Sequence, residues 1–258
     1  MQRGQQNMKH AVVTGAGSGI GERCALDLLE RGWRVFGMDR SLEALERIGR
    51  GQGSAKSGNF IPICCDVSSA AEVAGAFEAV SSQSGGLDAL ICSAGLLKPG
   101  FLTDMDEADF DTLFAVNTKG SWLCARSAVP LLERRASPSD PSRIIFVGSV
   151  SALRPKVKGG AYAASKIAVT YIGRVLAAEL AQKQILVNIV APATVDTPMT
   201  RALKDRPDYK LSGVSPLGRV AEPSDVAGVI HFLLSPAATY ISGAVIPVDG
   251  ATSAAFVS

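Results

Sequence analysis

Seven short, almost wholly apolar runs recur along the chain and alternate with segments of helical rhythm. They are Ala11–Thr14, Arg34–Met38, Ile61–Cys65, Ala89–Cys92, Ile144–Val147, Leu186–Val190 and Val245–Val248. Runs that stay apolar, rather than alternating with polar residues, suit strands buried on both faces, which is the habit of parallel sheets. Parallel neighbours must be joined by crossovers, and the helical segments between the runs can supply them with right-handed connections. The expected architecture is therefore α/β: one doubly wound parallel sheet of about seven strands with helices on both faces. Gly85-Gly86 and the Ser137–Ser142 stretch read as surface loops rather than domain linkers. At 258 residues, 47% of them hydrophobic, the chain suits a single domain with an ample core.

Residues 1–8 read as a flexible extension ahead of a domain spanning 9–258, and Met8 is itself a candidate start. That extension has no apolar secretory segment, and no run approaches the ~20 residues that span a bilayer. The net charge of +2 gives no electrostatic reason to expect nucleic acid or a membrane surface as the main partner. Five cysteines (Cys24, Cys64, Cys65, Cys92 and Cys124) form an odd set without metal-ligand spacing. Reduced, structural thiols and a cytoplasmic location are expected, with no metal site. His10 and His231 stand too far from any motif to be read as catalysts or ligands.

Two motifs carry chemistry. Thr14-Gly15-Ala16-Gly17-Ser18-Gly19-Ile20-Gly21 follows the first apolar run and opens the helical pattern Ile20–Arg31. A glycine-rich strand-to-helix junction lets the backbone approach a pyrophosphate, and the helix N-terminus adds N–H donors and positive dipole. The spacing Gly15-x3-Gly19-x-Gly21 differs from the usual dinucleotide fingerprint. The second motif is Tyr162-Ala163-Ala164-Ser165-Lys166, with Ser149 thirteen positions upstream of Tyr162. Residues four apart share a helix face, so the Lys166 ammonium can lie beside the Tyr162 phenol. A neighbouring cation favours the phenolate, and would bring the tyrosine within reach of acid–base work near neutral pH.

Taken together, these motifs make the chain resemble the classical short-chain dehydrogenase/reductases from about Lys9 to Gly250. The resemblance implies a Rossmann-type fold and assigns Asn117, Ser149, Tyr162 and Lys166 as the catalytic set. It implies cofactor contacts at Gly15, Ser18, Gly19, Ile20 and Gly21, at Asp66 and Val67 for adenine, and at Ser93, Ala94 and Gly95. Val195 and Thr197 would grip the nicotinamide, and Tyr162 and Lys166 would also touch the cofactor. The chain departs from the family at Cys92-Ser93, where two asparagines are usual, which puts local rigidity in question. It departs again at Ala193, where glycine is customary, so a small backbone adjustment is expected. Asp66 can also serve as a helix cap.

Asp39 ends the second strand, where a carboxylate can accept from both adenosine ribose hydroxyls and repel a 2′-phosphate. NAD is the expected cofactor, with NADP the less favoured choice. The expected reaction is reversible hydride transfer between NAD and a secondary alcohol, cyclic and carboxylated alcohols among the candidates, with Tyr162 as acid and base. Lys166 would lower the tyrosine pKa and hold the ribose, Ser149 would orient the substrate oxygen, and Asn117 would fix a water. The loop from Val150 to Gly160 carries Arg154, Lys156 and Lys158. Ser151 and Arg154 are the candidate substrate contacts, Arg154 through bidentate bonds to an anion, although a solvated charged loop explains the same residues. A substrate lid is expected near 198–217, with Pro207, Gly213 and Pro216 as hinges. The rival readings are an NADPH-dependent carbonyl or 3-ketoacyl-thioester reductase, and a dinucleotide-binding regulator without chemistry. A small-molecule substrate and a homotetramer or homodimer complete the expectation, the long helices Phe110–Leu132 and Tyr162–Ala181 offering subunit contacts.

Overall fold

The computed structural model describes residues 8–51, 57–154, 156–204, 206, 209–211 and 213–254. Residues 1–7 of the expected extension, Pro155 of the basic loop and the hinge Pro207 lie outside the described residues.

In chain order the elements are β1 (His10–Thr14), α1 (Gly19–Glu30), β2 (Arg34–Asp39), α2 (Leu42–Gly51), β3 (Phe60–Cys64) and α3 (Ala70–Ser84). There follow β4 (Ala89–Cys92), α4 (Glu107–Leu113), α5 (Ser121–Glu133), β5 (Ser142–Val147) and α6 (Gly160–Glu179). The chain ends with β6 (Ile185–Pro192), α7 (Pro198–Arg201), α8 (Pro223–Leu234) and β7 (Val245–Val248). All seven strands form one sheet in the order β3-β2-β1-β4-β5-β6-β7, and every pair is parallel. Each expected strand is present, with no end shifted by more than two residues and with β4 and β7 at their expected bounds. The fold is a single Rossmann-like domain.

Strand periodicity divides the core in two. Val12 packs with Phe36, Phe77, Val80 and Leu131 on the face covered by α3, α5 and α6. Its neighbours Ala11 and Val13 join Leu28, Leu29, Leu45 and Ile230 on the face covered by α1, α2 and α8. Burying each such large side chain contributes roughly 1.5–3 kcal/mol. The α6 helix lies close on the sheet because Gly173 carries no side chain: a β-carbon there would stand 3.0 Å from Ile189 Cδ1. No helix among the described residues is long and apolar enough to cross a membrane.

Two expectations change. The helix expected over Phe110–Leu132 is divided by a π-helical segment, Phe114–Gly120, between α4 and α5. Its end abuts β3's following loop so closely that a β-carbon on Gly120 would lie 2.8 Å from Val67 Cγ2. Cys64 is exposed rather than structural, because β3 is an edge strand whose alternate residues face outward. The other four thiols are buried, and burial raises Cys24 to about 12 and Cys65 to about 11.

The strand order reverses beside β1: the chain steps outward to β2 and β3, then returns across β1 to β4. At such a switch point the loops leaving neighbouring strands part, and a crevice opens at the carboxyl ends of the strands.

Candidate active site

A cleft of about 510 Å³ occupies that crevice. At one end lies the glycine turn. Gly15 has φ +66 and Gly19 φ +57, backbone that favours glycine, and a β-carbon on Gly15 would stand 2.8 Å from the Ala94 backbone. Ser18 caps α1 in extended conformation without a side-chain cap bond, so the first turn of the helix presents its N–H groups at the cleft. Gly15, Ser18, Gly19 and Ile20 line the space, whereas Gly21 sits behind it, packed on the Gly15 carbonyl. These features fit a pyrophosphate.

Asp39 lines the next part of the cleft. Its Oδ2 accepts from Gly17 N at 3.0 Å, and Oδ1 accepts from Ser41 N at 3.0 Å. The carboxylate therefore fixes the glycine turn while facing the site. Asp66 accepts through Oδ1 from Ser68 N and Ser68 Oγ, at 2.8 and 2.7 Å, and these bonds lower its pKa. The cap of α3 is Ser69, whose side chain accepts from Glu72 N, so Asp66 shapes the turn before the helix instead of capping it. Asp66, Val67, Ser93, Ala94 and Gly95 all line the cleft. At the Cys92-Ser93 step, where the family usually has asparagines, Thr14 Oγ1 accepts from both Ser93 N and Ala94 N at 3.1 Å and ties the end of β4 to β1.

Ser149, Tyr162 and Lys166 meet at the other end. Ser149 leaves β5 in extended backbone, and Tyr162 and Lys166 lie one turn apart on α6. Lys166, only 5% exposed, donates to the Val147 carbonyl at 2.9 Å, with its Nζ 5.9 Å from the Tyr162 ring centre. Burial lowers Lys166 to about 8. Burial also pushes Tyr162 up to about 12, against a smaller lowering by the Ser149 hydroxyl. The expected depression of the Tyr162 pKa by Lys166 is thus corrected for the free protein: desolvation of the phenolate outweighs nearby charge.

Asn117 is fully buried on the π-helical segment. Its Oδ1 accepts from Leu96 N at 2.9 Å, while Nδ2 donates to Leu96 O and Ser165 Oγ, both at 3.0 Å. Both amide protons are committed, so the side chain braces the loop after β4 against α6 instead of donating to a water. Ser165, which the sequence reading passed over, completes the brace by donating to the Tyr162 carbonyl at 2.7 Å.

Val195 and Thr197 line the cleft opposite α1, and Thr197 forms a reciprocal cap of α7 with Thr200. Ala193 has no left-handed backbone, so the replacement of glycine is unstrained. The substrate side was poorly legible. Leu96, Leu97, Met199 and Leu203 line the cleft, and none belongs to a motif. Neither Ser151 nor Arg154 lines the cleft. Ser151 N donates to Ser149 Oγ at 3.1 Å, and Arg154 Nη1 donates to the Thr252 carbonyl at 2.9 Å, which corrects their reading as substrate contacts. His231 and His10 are remote from the cleft, on Asp27 (3.0 Å) and the Gly86 carbonyl (3.2 Å).

A family model described as enoyl-(acyl carrier protein) reductase matches residues 15–252. The 3-oxoacyl-[acyl-carrier-protein] reductase MabA of Mycobacterium tuberculosis is 37% identical over 242 residues, covering 94% of this chain and 92% of the relative. Galactitol 2-dehydrogenase (L-tagatose-forming) of Cereibacter sphaeroides is 34% identical over 245 residues, 93% of each. Among solved structures, the 3-ketoacyl-(acyl-carrier-protein) reductase of Brucella melitensis complexed with NADH superposes with a TM-score of 0.86 at 32% identity, covering 95% of this chain and 98% of that one. Fold, cleft and relatives agree: the chain is an oxidoreductase of the classical short-chain dehydrogenase/reductase family.

Proposed function

We propose that the protein reduces the 3-oxo group of an acyl thioester to a secondary alcohol with NADH, the reverse oxidation using the same residues. One observation carries the substrate class: the cleft that holds Ser149 and Tyr162 has Leu96, Leu97, Met199 and Leu203 in its wall. Among the described residues, the cations lining the cleft are Lys166 and the distant Arg40. Such a wall suits an acyl chain and offers little to a carboxylated ring or a polyol. The MabA and Brucella relatives act on 3-oxoacyl groups by name, which supports the same reading. Asp39 supports NADH over NADPH, since its carboxylate would face a 2′-phosphate.

A bound nicotinamide dinucleotide supplies the hydride. The chain supplies the proton and the geometry. Tyr162, neutral at pH 7 because its pKa is about 12, gives its proton to the carbonyl oxygen as that oxygen gains charge, and later recovers one from solvent. Ser149 donates to the same oxygen and orients it. Lys166, charged at pH 7 with a pKa of about 8, stabilises the phenolate left behind. Asn117 and Ser165 hold the wall and the helix at fixed separation. Small-molecule recognition in the cytoplasm by a homotetramer or homodimer belongs to the same proposal. Trp122, Ile167, Tyr171 and Val175, exposed on α5 and α6, support the assembly.

The test follows NADH absorbance with acetoacetyl-CoA, cyclohexanone, a carboxylated cyclohexanone and L-tagatose. Acetoacetyl-CoA is expected to show the highest kcat/KM, and Tyr162→Phe to lose about 10²–10⁴ of it while still binding NADH. Preference for tagatose or the acidic ring would overturn the substrate class. A parent that binds NADH but turns over none of these ketones would replace the enzyme with a dinucleotide-binding regulator, and a Tyr162→Phe protein as active as the parent would overturn the role of Tyr162.

A further inference from the structure

Gly17, in the middle of the glycine turn, is held at both of its polar groups. Its N–H donates to Asp39 Oδ2 at 3.0 Å, and a β-carbon on it would stand 2.9 Å from Ala44 Cβ. Just ahead of it, Ala16 N donates to the Met38 carbonyl at 3.1 Å. Its carbonyl is taken by Arg47, whose Nη2 donates at 3.1 Å. The other arm of the same guanidinium, Nη1, stands 3.0 Å from Glu22 Oε1 in the first turn of α1. The α2 helix sets this reach. Leu45 and Ile48 bury one face of it, which leaves Ala44 and Arg47, three residues apart, side by side along the glycine turn.

The grip on Gly17 acts on the residue that follows. In a trans peptide the carbonyl and the N–H point to opposite edges, and the described residues contain no cis bond. With the Gly17 oxygen committed to Arg47, the Ser18 N–H of the same peptide is turned away from α2. Gly17 is buried, whereas Ser18 is exposed and lines the cleft. A charged donor on the carbonyl also polarises the peptide and makes its N–H the stronger donor.

We propose that Arg47 is a positioning residue for the cofactor's pyrophosphate: it fixes the Gly17–Ser18 peptide so that the Ser18 N–H donates to a phosphate oxygen. The proposal rests on the dinucleotide reading of the cleft and is independent of the substrate class. Glu22 offsets the charge of the guanidinium, so Arg47 contributes orientation more than field.

Arg47→Met keeps the stem and removes both arms. The side chain is 60% exposed, so the replacement costs little stability. Displacement of bound NADH, followed by its fluorescence, measures the Kd of ADP-ribose, which carries the pyrophosphate, and of adenosine, which carries no phosphate. The variant's Kd for ADP-ribose is expected to rise about tenfold over the parent's, and that for adenosine to change by less than about twofold. The same tenfold gap between variant and parent is expected at about 0.5 M NaCl, where the field of an exposed cation is screened. An unchanged Kd for ADP-ribose, an equal loss for adenosine, or a gap that closes in salt would overturn the role of Arg47. A parent that binds ADP-ribose no more tightly than adenosine would instead overturn the pyrophosphate site itself, and the proposal with it, before any variant is made.

Discussion

Asp39→Asn isolates the charge at the adenosine end of the cleft. The parent carboxylate accepts from Gly17 N and Ser41 N, each at 3.0 Å, and the amide keeps one of these acceptors. A unit charge roughly 5 Å from another interacts by about 3 kcal/mol at an effective dielectric of about 20, and by about 0.8 kcal/mol in bulk water. Asp39 is partly exposed, so a value between these limits applies. A 2′-phosphate carries more than one charge, which enlarges the repulsion. Arg40, next in sequence, and Arg47, whose Nη2 donates to the Gly17 carbonyl at 3.1 Å, stand ready to attract a phosphate once the carboxylate is gone. Removing about 1.4 kcal/mol of discrimination changes a ratio tenfold, so the NADH-to-NADPH ratio of kcat/KM should fall by at least about tenfold. Steady-state kinetics with both cofactors against one ketone measures it. A ratio unchanged within about twofold would show that Asp39 serves the glycine turn alone and that cofactor choice lies elsewhere.

Other consequences follow from the same geometry. Lys166 holds its proton below about pH 8 and loses it above, so kcat/KM for ketone reduction should decline as pH rises through about 8. A pH profile flat to 10 would refute a catalytic need for the ammonium. Gly21→Ala places a methyl into the Gly15 carbonyl, whose own φ is fixed at +66. A cost of about 2–3 kcal/mol, read as a Tm lower by about 5–10 °C, is expected by calorimetry, and an unchanged Tm would show that the turn relaxes. Arg154→Ala should change kcat/KM for acidic and neutral ketones by the same factor, because its guanidinium serves the Thr252 carbonyl. A selective rise in KM for acids would return it to the pocket.

What was legible in the chain was whatever depends on local spacing. Doubly buried strands announce themselves as apolar runs, and the Gly15–Gly21 turn and the Tyr162–Lys166 pair are fixed by adjacent residues. Contacts between distant segments left no such mark. Nothing in the sequence says that Thr14 holds the backbone of Ser93 and Ala94, since the atoms meet only when β1 and β4 pair. Arg154, Lys156 and Lys158 form a cluster in sequence, yet each points to a different segment. The Tyr162–Lys166 relation was right in spacing and incomplete in sign. Proximity could be inferred, but burial, which dominates both pKa values, could not.

The π-helical segment between α4 and α5 makes the length of this helix as restrictive as its composition. A π turn holds a surplus of backbone relative to an α turn, so the flanking helices run out of phase by that surplus. Each α-helical residue advances about 100° around the axis. Deleting a single residue within 114–120 would remove that surplus and let one regular helix run through, leaving the flanking turns on their faces but closing the widened turn that presents Asn117. Asn117 could no longer face Leu96 and Ser165 while Leu123, Leu131 and Leu132 still faced the core. Descendants of this sequence can thus exchange residues along the helix more easily than they can gain or lose one.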